Sequence, residues 1–108
     1  MTIKTAPDPE EIILGIIVNA GLARSQSLQA LSLAGEGDVI QARLRLAEAE
    51  SALREAHKIQ THLIEDEARG NHQPVTLLMI HAQDHLMNAM TIKDLVAIHI
   101  KTQTLSHK

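Results

Sequence analysis

A heptad repeat in the middle of the chain restricts the fold more than any other feature of the sequence. From Ala42 to Leu63, small and apolar side chains recur at alternating intervals of four and three residues, and Gln60 is the polar exception. The members are Ala42, Leu46, Ala49, Leu53, Ala56, Gln60 and Leu63. This spacing aligns one stripe along a helix, and such a stripe has to be covered by other helices. The repeat therefore predicts a long helix inside a helical bundle.

Prolines and glycines divide the 108-residue chain into three segments. Pro7 and Pro9 precede an apolar stretch, GEGD at 35–38 separates that stretch from the heptad segment, and GNHQP at 70–74 ends the heptad segment. Proline suits the first turn of a helix, and glycine suits the residue just after one. We therefore predict one domain over residues 1–108, with helices at about 10–35, 39–69 and 76–105. Long helices joined by short loops form an all-α, antiparallel three-helix up-down-up bundle.

The side-chain types that the chain lacks exclude several classes of function. There is no Cys, so neither a disulfide framework nor a thiolate nucleophile is available. There is no Phe, Tyr or Trp to stack on bases or sugars. The formal net charge is -3, and acidic and basic residues are interspersed along the chain, so there is no basic stripe for a phosphate backbone. No apolar run reaches the ~20 residues of a membrane span. We therefore expect a cytoplasmic protein with no nucleic-acid partner and no membrane insertion.

The third predicted helix is apolar on more than one face. Its apolar members are Leu77, Leu78, Met79, Ile80, Ala82, Leu86, Met87, Ala89, Met90, Ile92, Leu95, Val96, Ile98 and Ile100. A helix that is apolar nearly all round must be covered on all sides, and two partner helices do not suffice for this. We therefore expect the helix to form an oligomer interface as well, at the centre of a cyclic assembly.

Four polar residues of this helix share one face, because His81, Asp84, His85 and Asn88 fall at i, i+3, i+4 and i+7. Three interpretations fit them. They can form a hydrogen-bonded polar seam inside a bundle. His81 and His85 can ligate one metal ion, since H-x-x-D-H is similar to the inverzincin pattern. Alternatively, a neutral imidazole can act as a nucleophile near pH 7 and accept a phosphoryl group.

Residues 80–87, IHAQDHLM, resemble the active-site segment of one family, the lactose/cellobiose-type (lactose/N,N'-diacetylchitobiose) enzyme IIA components of the bacterial phosphoenolpyruvate-dependent sugar phosphotransferase system. The resemblance extends over nearly the whole chain. IIVNAG at 16–21, followed by ARS at 23–25, is similar to the first-helix signature of that family. EAHKIQT at 55–61 is similar to the end of its second helix, and EARG at 67–70 to the turn that follows.

The resemblance implies a homotrimer of three-helix protomers that works as a phosphocarrier enzyme. It matches His81 to the histidine that accepts a phosphoryl group on Nε2 from phospho-HPr and passes it to a cysteine of the cognate IIB. It matches Asp84 to the aspartate whose three copies surround a divalent cation, commonly Mg²⁺, on the trimer axis, and Gln83 and His85 to supporting positions nearby. The implied pathway takes up and phosphorylates a β-linked disaccharide of the cellobiose, chitobiose or lactose class, which this component does not itself bind.

Two other functions are compatible with the same residues. One is a non-catalytic helical trimer that binds a metal, and the other is a zinc hydrolase, which would need a third ligand. The carboxylate of Asp84 favours a hard cation over zinc. Arg24 is interpreted as a salt-bridge or phosphate-binding residue, His57 as a neighbour of the heptad stripe, and Gln60 as a polar residue that sets its register.

Overall fold

The computed structural model describes residues 8–106, which form three helices and no strand within that range. The helices are α1 (Pro9–Gly35), α2 (Val39–Ala68) and α3 (Leu77–Ser106). Each observed bound lies within one residue of the predicted bound. Pro7 and the residues before it lie outside the described part of the chain. The predicted all-α fold with three helices is confirmed.

Contacts of α1 define the directions of the other two helices. Gly15, near the start of α1, faces Ile59 in the second half of α2, which places α2 antiparallel to α1. Gly21 faces His85 on α3, and further along, the Ala34 carbonyl accepts a hydrogen bond from the Gln103 side chain. The later residue of α1 contacts the later residue of α3, so the two helices run parallel. The arrangement is the predicted up-down-up bundle.

Each helix begins with a side-chain cap at the residue that local chemistry favours. Oδ1 of Asp8 accepts a hydrogen bond from the backbone N–H of Glu10, 3.1 Å away, ahead of α1. At the start of α2, Oδ1 of Asp38 accepts a hydrogen bond from the backbone N–H of Gln41. At the start of α3, the hydroxyl oxygen of Thr76 accepts one from the backbone N–H of Met79, 3.1 Å away. These bonds satisfy backbone N–H groups that have no partner inside the helix. They explain why the helices begin where the sequence predicts.

Glycines with positive φ end α1 and α2. Gly37 has φ 88° and Gly70 has φ 92°, a left-handed conformation that side chains with a β-carbon disfavour. After Gly37, the N–H of Asp38 donates to Leu33 O at 2.9 Å. This 6→1 hydrogen bond is the hallmark of the Schellman motif and stops the helix. The two glycines therefore set the lengths of α1 and α2.

Alanine dominates the core, which consists of two clusters along the bundle. The cluster near His81 contains Ile13, Ile16, Ala20, Ala23, Ala49, Ala52, Leu53, Ala56, Ala82, Leu86 and Ala89. The other contains Ala30, Ala34, Ala42, Leu46, Val96 and Ile100. The heptad residues from Ala42 to Ala56 are buried, as predicted, while Gln60 and Leu63 are half-buried. Small side chains let α1 approach both of its neighbours closely, whereas α2 and α3 contact each other less extensively.

One face of α3 is left uncovered by the bundle. Its residues recur at intervals of three or four and are all exposed: Leu77, Ile80, Asp84, Met87, Thr91, Leu95 and Ile98. We call this set the α3 seam. Leu77 is 83% exposed and Leu95 63%, values that are high for leucine in a folded domain. The prediction that two partner helices cannot cover α3 is therefore confirmed.

Candidate functional site

Two histidines of α3 form a stacked pair beside the α3 seam. The imidazole rings of His81 and His85 lie 5.9 Å apart between centroids, with 17° between their planes. The pair forms because residues four apart on a helix lie one above the other. His81 is exposed and His85 is half-buried. One ring is thus open to an incoming group while the other supports it.

A glycine on α1 makes room for the supporting ring. A β-carbon at Gly21 would lie 3.4 Å from Nε2 of His85, so the ring edge rests against the α1 backbone. A β-carbon alone would make ordinary van der Waals contact there, whereas a side chain that extends further would crowd the ring. The contact was not predicted from the sequence. The glycine itself was an available signal. Glycine inside a helix lowers the stability of the helix relative to alanine, and it often marks a place where another group comes close to the backbone.

Asp84 lies on the α3 seam, exposed between Ile80 and Met87. Among residues 8–106, no group of three His, Cys, Asp or Glu side chains comes together in a way that could hold a metal ion. One chain therefore contributes a single carboxylate to the uncovered face. The donor set fits a cation only where copies of Asp84 from several chains meet.

Gln83 lies on the opposite flank of α3 from the histidine pair. Its Oε1 accepts a hydrogen bond from Nε2 of Gln60 on α2, 2.7 Å away, and its Nε2 lies 3.5 Å from the sulfur of Met79. Residues two apart on a helix point about 200° apart. The structure therefore brings His81 and His85 together in one chain but places Gln83 away from them, although all three are neighbours in the sequence.

The Gln60–Gln83 pair borders a cavity of about 170 Å³ at the end of the bundle. Its walls are largely apolar and come from α2, α3 and the loop between them. The lining residues are Gln60, Leu63, Ile64, Glu67, Gln73, Val75, Met79 and Gln83. Gln60, the polar residue of the heptad repeat, therefore has a hydrogen-bond partner in Gln83, which the sequence had not indicated.

Among the described residues, no hydrogen bond, ion pair or ring contact joins the remaining polar candidates to the histidine pair. His57 lines a separate cleft of about 220 Å³ between α2 and α3, together with Arg54 and Lys93. Arg24 is exposed on α1 and forms no ion pair with the described residues. Asn88 is exposed one turn after Asp84. In one chain, the compact site therefore comprises His81, His85 and the backbone of Gly21.

No described helix is both long and apolar enough to span a membrane.

Comparisons with known proteins agree on one family. The family model for "PTS system, Lactose/Cellobiose specific IIA subunit" matches residues 11–104. The lichenan-specific phosphotransferase enzyme IIA component of Bacillus subtilis (strain 168) is 50% identical over 88 residues, which are 82% of this chain and 80% of that protein. The N,N'-diacetylchitobiose-specific EIIA component of Escherichia coli (strain K12) is 42% identical over 91 residues, 84% of this chain and 78% of that protein.

Solved structures give the same result. The crystal structure of the PTS cellobiose-specific enzyme IIA from Bacillus anthracis superposes with a TM-score of 0.85 and 42% identity, covering 98% of this chain and 94% of that one. The chitobiose IIA in the Escherichia coli IIA–HPr complex superposes with a TM-score of 0.79 and 37% identity, covering 95% of this chain and all of that one. The chain therefore belongs to the lactose/cellobiose-specific IIA family of the phosphotransferase system, as a phosphotransferase component in sugar transport.

Proposed function

We propose that the chain is a phosphocarrier in which Nε2 of His81 accepts a phosphoryl group from phospho-HPr and passes it to a cysteine of the cognate IIB. The observation that carries the proposal is the stacked pair itself, with His81 exposed and its ring 5.9 Å from that of His85. An unprotonated imidazole nitrogen has the lone pair that attacks phosphorus. As the new phosphorus–nitrogen bond forms, the bond from phosphorus to the donor breaks.

The surroundings of His81 suit a phosphoryl group that is transferred to a second protein. Transfer to a second protein requires a phosphoryl group that is positioned but not trapped, since catalysis of phosphoryl transfer rests on alignment and charge stabilisation. His81 takes part in no ion pair with the described residues, and no Arg or Lys lies within ten residues of it on α3. The third helix would therefore supply no cationic clamp on the phosphoryl group.

Apolar side chains beside the histidine pair offer a docking surface for the donor and the acceptor. Leu14 and Val18 are exposed on the stretch of α1 that precedes Gly21. Exposed apolar patches in a folded domain commonly mark protein contact sites. The solved complex of a 37% identical IIA with HPr supports HPr as the donor.

We further propose that three copies assemble with the α3 seams at the centre. The seam spacing of three and four residues is typical of helices that pack against copies of themselves. Such an assembly would bring three Asp84 carboxylates together, and these residues would hold a divalent cation, with Mg²⁺ the leading candidate because oxygen ligands favour hard ions. When bound, the cation would neutralise the clustered charge.

The sugar of the pathway belongs, in this proposal, to the β-linked disaccharides. Relatives of this chain carry lichenan, N,N'-diacetylchitobiose and cellobiose in their names. The chain itself offers no aromatic ring on which a sugar could stack. We therefore assign the sugar to other components and the phosphoryl group to this one.

The proposal is tested by incubating the chain with phosphoenolpyruvate, enzyme I and HPr and measuring protein-bound phosphate that is labile in acid and stable in base. We expect stoichiometric label on the native chain and none on His81→Ala. His99→Ala is the matched control, because His99 is also exposed on α3 but lies five turns further along, and it should label normally. Label that persists in His81→Ala, or its absence from the native chain with verified donors, would refute the proposal.

A further inference from the structure

A polar layer interrupts the apolar core midway along the bundle. The core residues of α1 and α3 recur at the same intervals of three and four, and in each helix one polar residue stands between the two core clusters. The α1 series is Ala20, Ala23, Ser27, Ala30 and Ala34, and the α3 series is Leu86, Ala89, Lys93, Val96 and Ile100. The helices are parallel, and the contact of Gly21 with His85 agrees with this pairing of the two series. Ser27 and Lys93 therefore lie in one layer of the α1–α3 interface.

Neither residue of this layer fills its position with apolar volume. Ser27 is fully buried, and its hydroxyl has no hydrogen-bond partner within residues 8–106. The Lys93 side chain is 25% exposed and carries its ammonium out of the core to the carboxylate of Asp94, 2.7 Å away. A lysine stem that leaves the core in this way keeps its charge in water, but it does not fill the layer as a branched side chain would. A cleft of about 220 Å³ between α2 and α3 lies at this layer, and we call it the α2–α3 cleft.

The walls of the α2–α3 cleft combine hydrogen-bond donors with apolar side chains. The lining residues are Glu50, Leu53, Arg54, His57, Met90 and Lys93. The guanidinium of Arg54 forms no ion pair within the described part of the chain, so its five N–H donors are open to a ligand. The ammonium of Lys93 has three N–H donors and shares them with a single carboxylate. Leu53 is buried and Met90 half-buried, and they supply the apolar part of the wall.

Two carboxylates limit the net charge of the α2–α3 cleft. Glu50 is half-buried in its wall, and Asp94 holds the Lys93 ammonium at its mouth. With the His57 ring uncharged, these two acids balance Arg54 and Lys93. An anion is therefore held by directed donors more than by net charge, and the planar fork of an arginine matches two oxygens of a carboxylate or a phosphate. We expect a dissociation constant in the millimolar range.

The α2–α3 cleft is separate from the histidine pair and from the α3 seam. Met90 lies nine residues after His81, which is about 13 Å along the helix and about half a turn around it. Lys93 lies two residues after the seam residue Thr91 and therefore points about 200° away from it. An assembly through the seam would leave Lys93 on the far side of α3.

We propose that the α2–α3 cleft binds a small organic anion that has a carboxylate or phosphate head group on a short apolar chain. Arg54 and Lys93 donate hydrogen bonds to the head-group oxygens, and His57 adds an N–H donor. Leu53 and Met90 contact the apolar chain. This binding does not depend on phosphoryl transfer at His81, so the two proposals fail or stand separately.

Methionine methyl signals in nuclear magnetic resonance test the site, because Met90 lines the cleft and Met87 lies on the seam. The native chain is titrated with butyrate, butyl phosphate, acetate and sodium chloride at equal ionic strength. Butyrate and butyl phosphate should shift the Met90 signal to saturation and leave Met87 unchanged, and the tighter of the two identifies the head group. Acetate lacks two methylenes and should bind about tenfold more weakly than butyrate. An equal shift with sodium chloride, or equal affinities for acetate and butyrate, would overturn the proposal.

Three variants assign the binding to named side chains. Arg54→Gln should weaken binding at least tenfold, and because Arg54 is exposed the fold should be unaffected. Lys93→Leu should remove the saturable shift and raise the unfolding temperature, since leucine fills the layer with apolar volume. Lys58→Gln is the matched control, because Lys58 is exposed on α2, pairs with Glu55 and does not line the cleft, and it should bind like native. Native affinity in Arg54→Gln and Lys93→Leu, or an equal loss in Lys58→Gln and Arg54→Gln, would overturn the assignment of the site.

Discussion

Replacing Asp84 by leucine should make the proposed trimer independent of divalent cations. Asp84 lies on the α3 seam between Ile80 and Met87, which are 54% and 51% exposed in one chain. Three carboxylates about 5 Å apart on an axis would repel by about 3 kcal/mol per pair at an effective dielectric constant of about 20, or about 10 kcal/mol in total. Leucine removes this repulsion, and each buried leucine adds about 1.5–3 kcal/mol of hydrophobic stabilisation.

The assay combines light scattering, which measures the assembly mass, with thermal unfolding in Mg²⁺ and in EDTA. In EDTA, the native chain should lose mass or unfold at a lower temperature, whereas Asp84→Leu should stay assembled and unfold at least about 10 °C higher than native. Asp94→Leu is the matched control on α3, since Asp94 lies off the seam and pairs with Lys93 at 2.7 Å. It should keep the cation dependence of the native chain. Dissociation of Asp84→Leu to monomers, or a native assembly indifferent to EDTA, would refute the reasoning.

Three further predictions follow from individual contacts. Gly21→Val should displace the ring of His85 and slow phosphorylation about tenfold or more, with the helix content unchanged in circular dichroism. Gly35→Val is the control, because a β-carbon at Gly35 has no atom within 4 Å, and it should leave the rate unchanged. Equal rates for the two variants would contradict the positioning of the ring by α1. Leu86→Ala should lower the free energy of unfolding by about 2–5 kcal/mol in urea titrations, because Leu86 is fully buried, and a loss below 1 kcal/mol would count against that packing. Gly37→Ala should cost about 1–2 kcal/mol in the same titration because φ is 88°, and a neutral effect would argue against the left-handed turn.

Local chemistry explains why the fold was predictable. The helix ends depend on Asp38, Thr76 and the two positive-φ glycines, each of which acts within four residues of its own position. The heptad stripe of α2 is buried for the same reason, since periodicity alone determines which residues share a face. The uncovered face of α3 was also predictable, because the sequence alone shows that α3 has more apolar faces than two neighbouring helices can cover.

The site was less predictable because it depends on contacts between helices. Gln83 is next but one to His81 in the sequence, yet it pairs with Gln60, 23 residues away, on the other side of α3. The contact between Gly21 and His85 depends on how far α1 and α3 are shifted along each other, and the sequence pattern does not determine that shift. The roles of His81, Gln83, Asp84 and His85 therefore stay predictions until they are tested by experiment.

Nuclear magnetic resonance of the phosphorylated chain tests the central claim most directly. With histidine labelled by nitrogen-15, the coupling between phosphorus and nitrogen identifies which ring atom carries the phosphoryl group. We predict a single coupling at Nε2 of His81, with the rings of His57 and His99 unchanged. Phosphorus on any other histidine, on Nδ1 of His81, or on no nitrogen of a folded chain incubated with active donors would contradict the account.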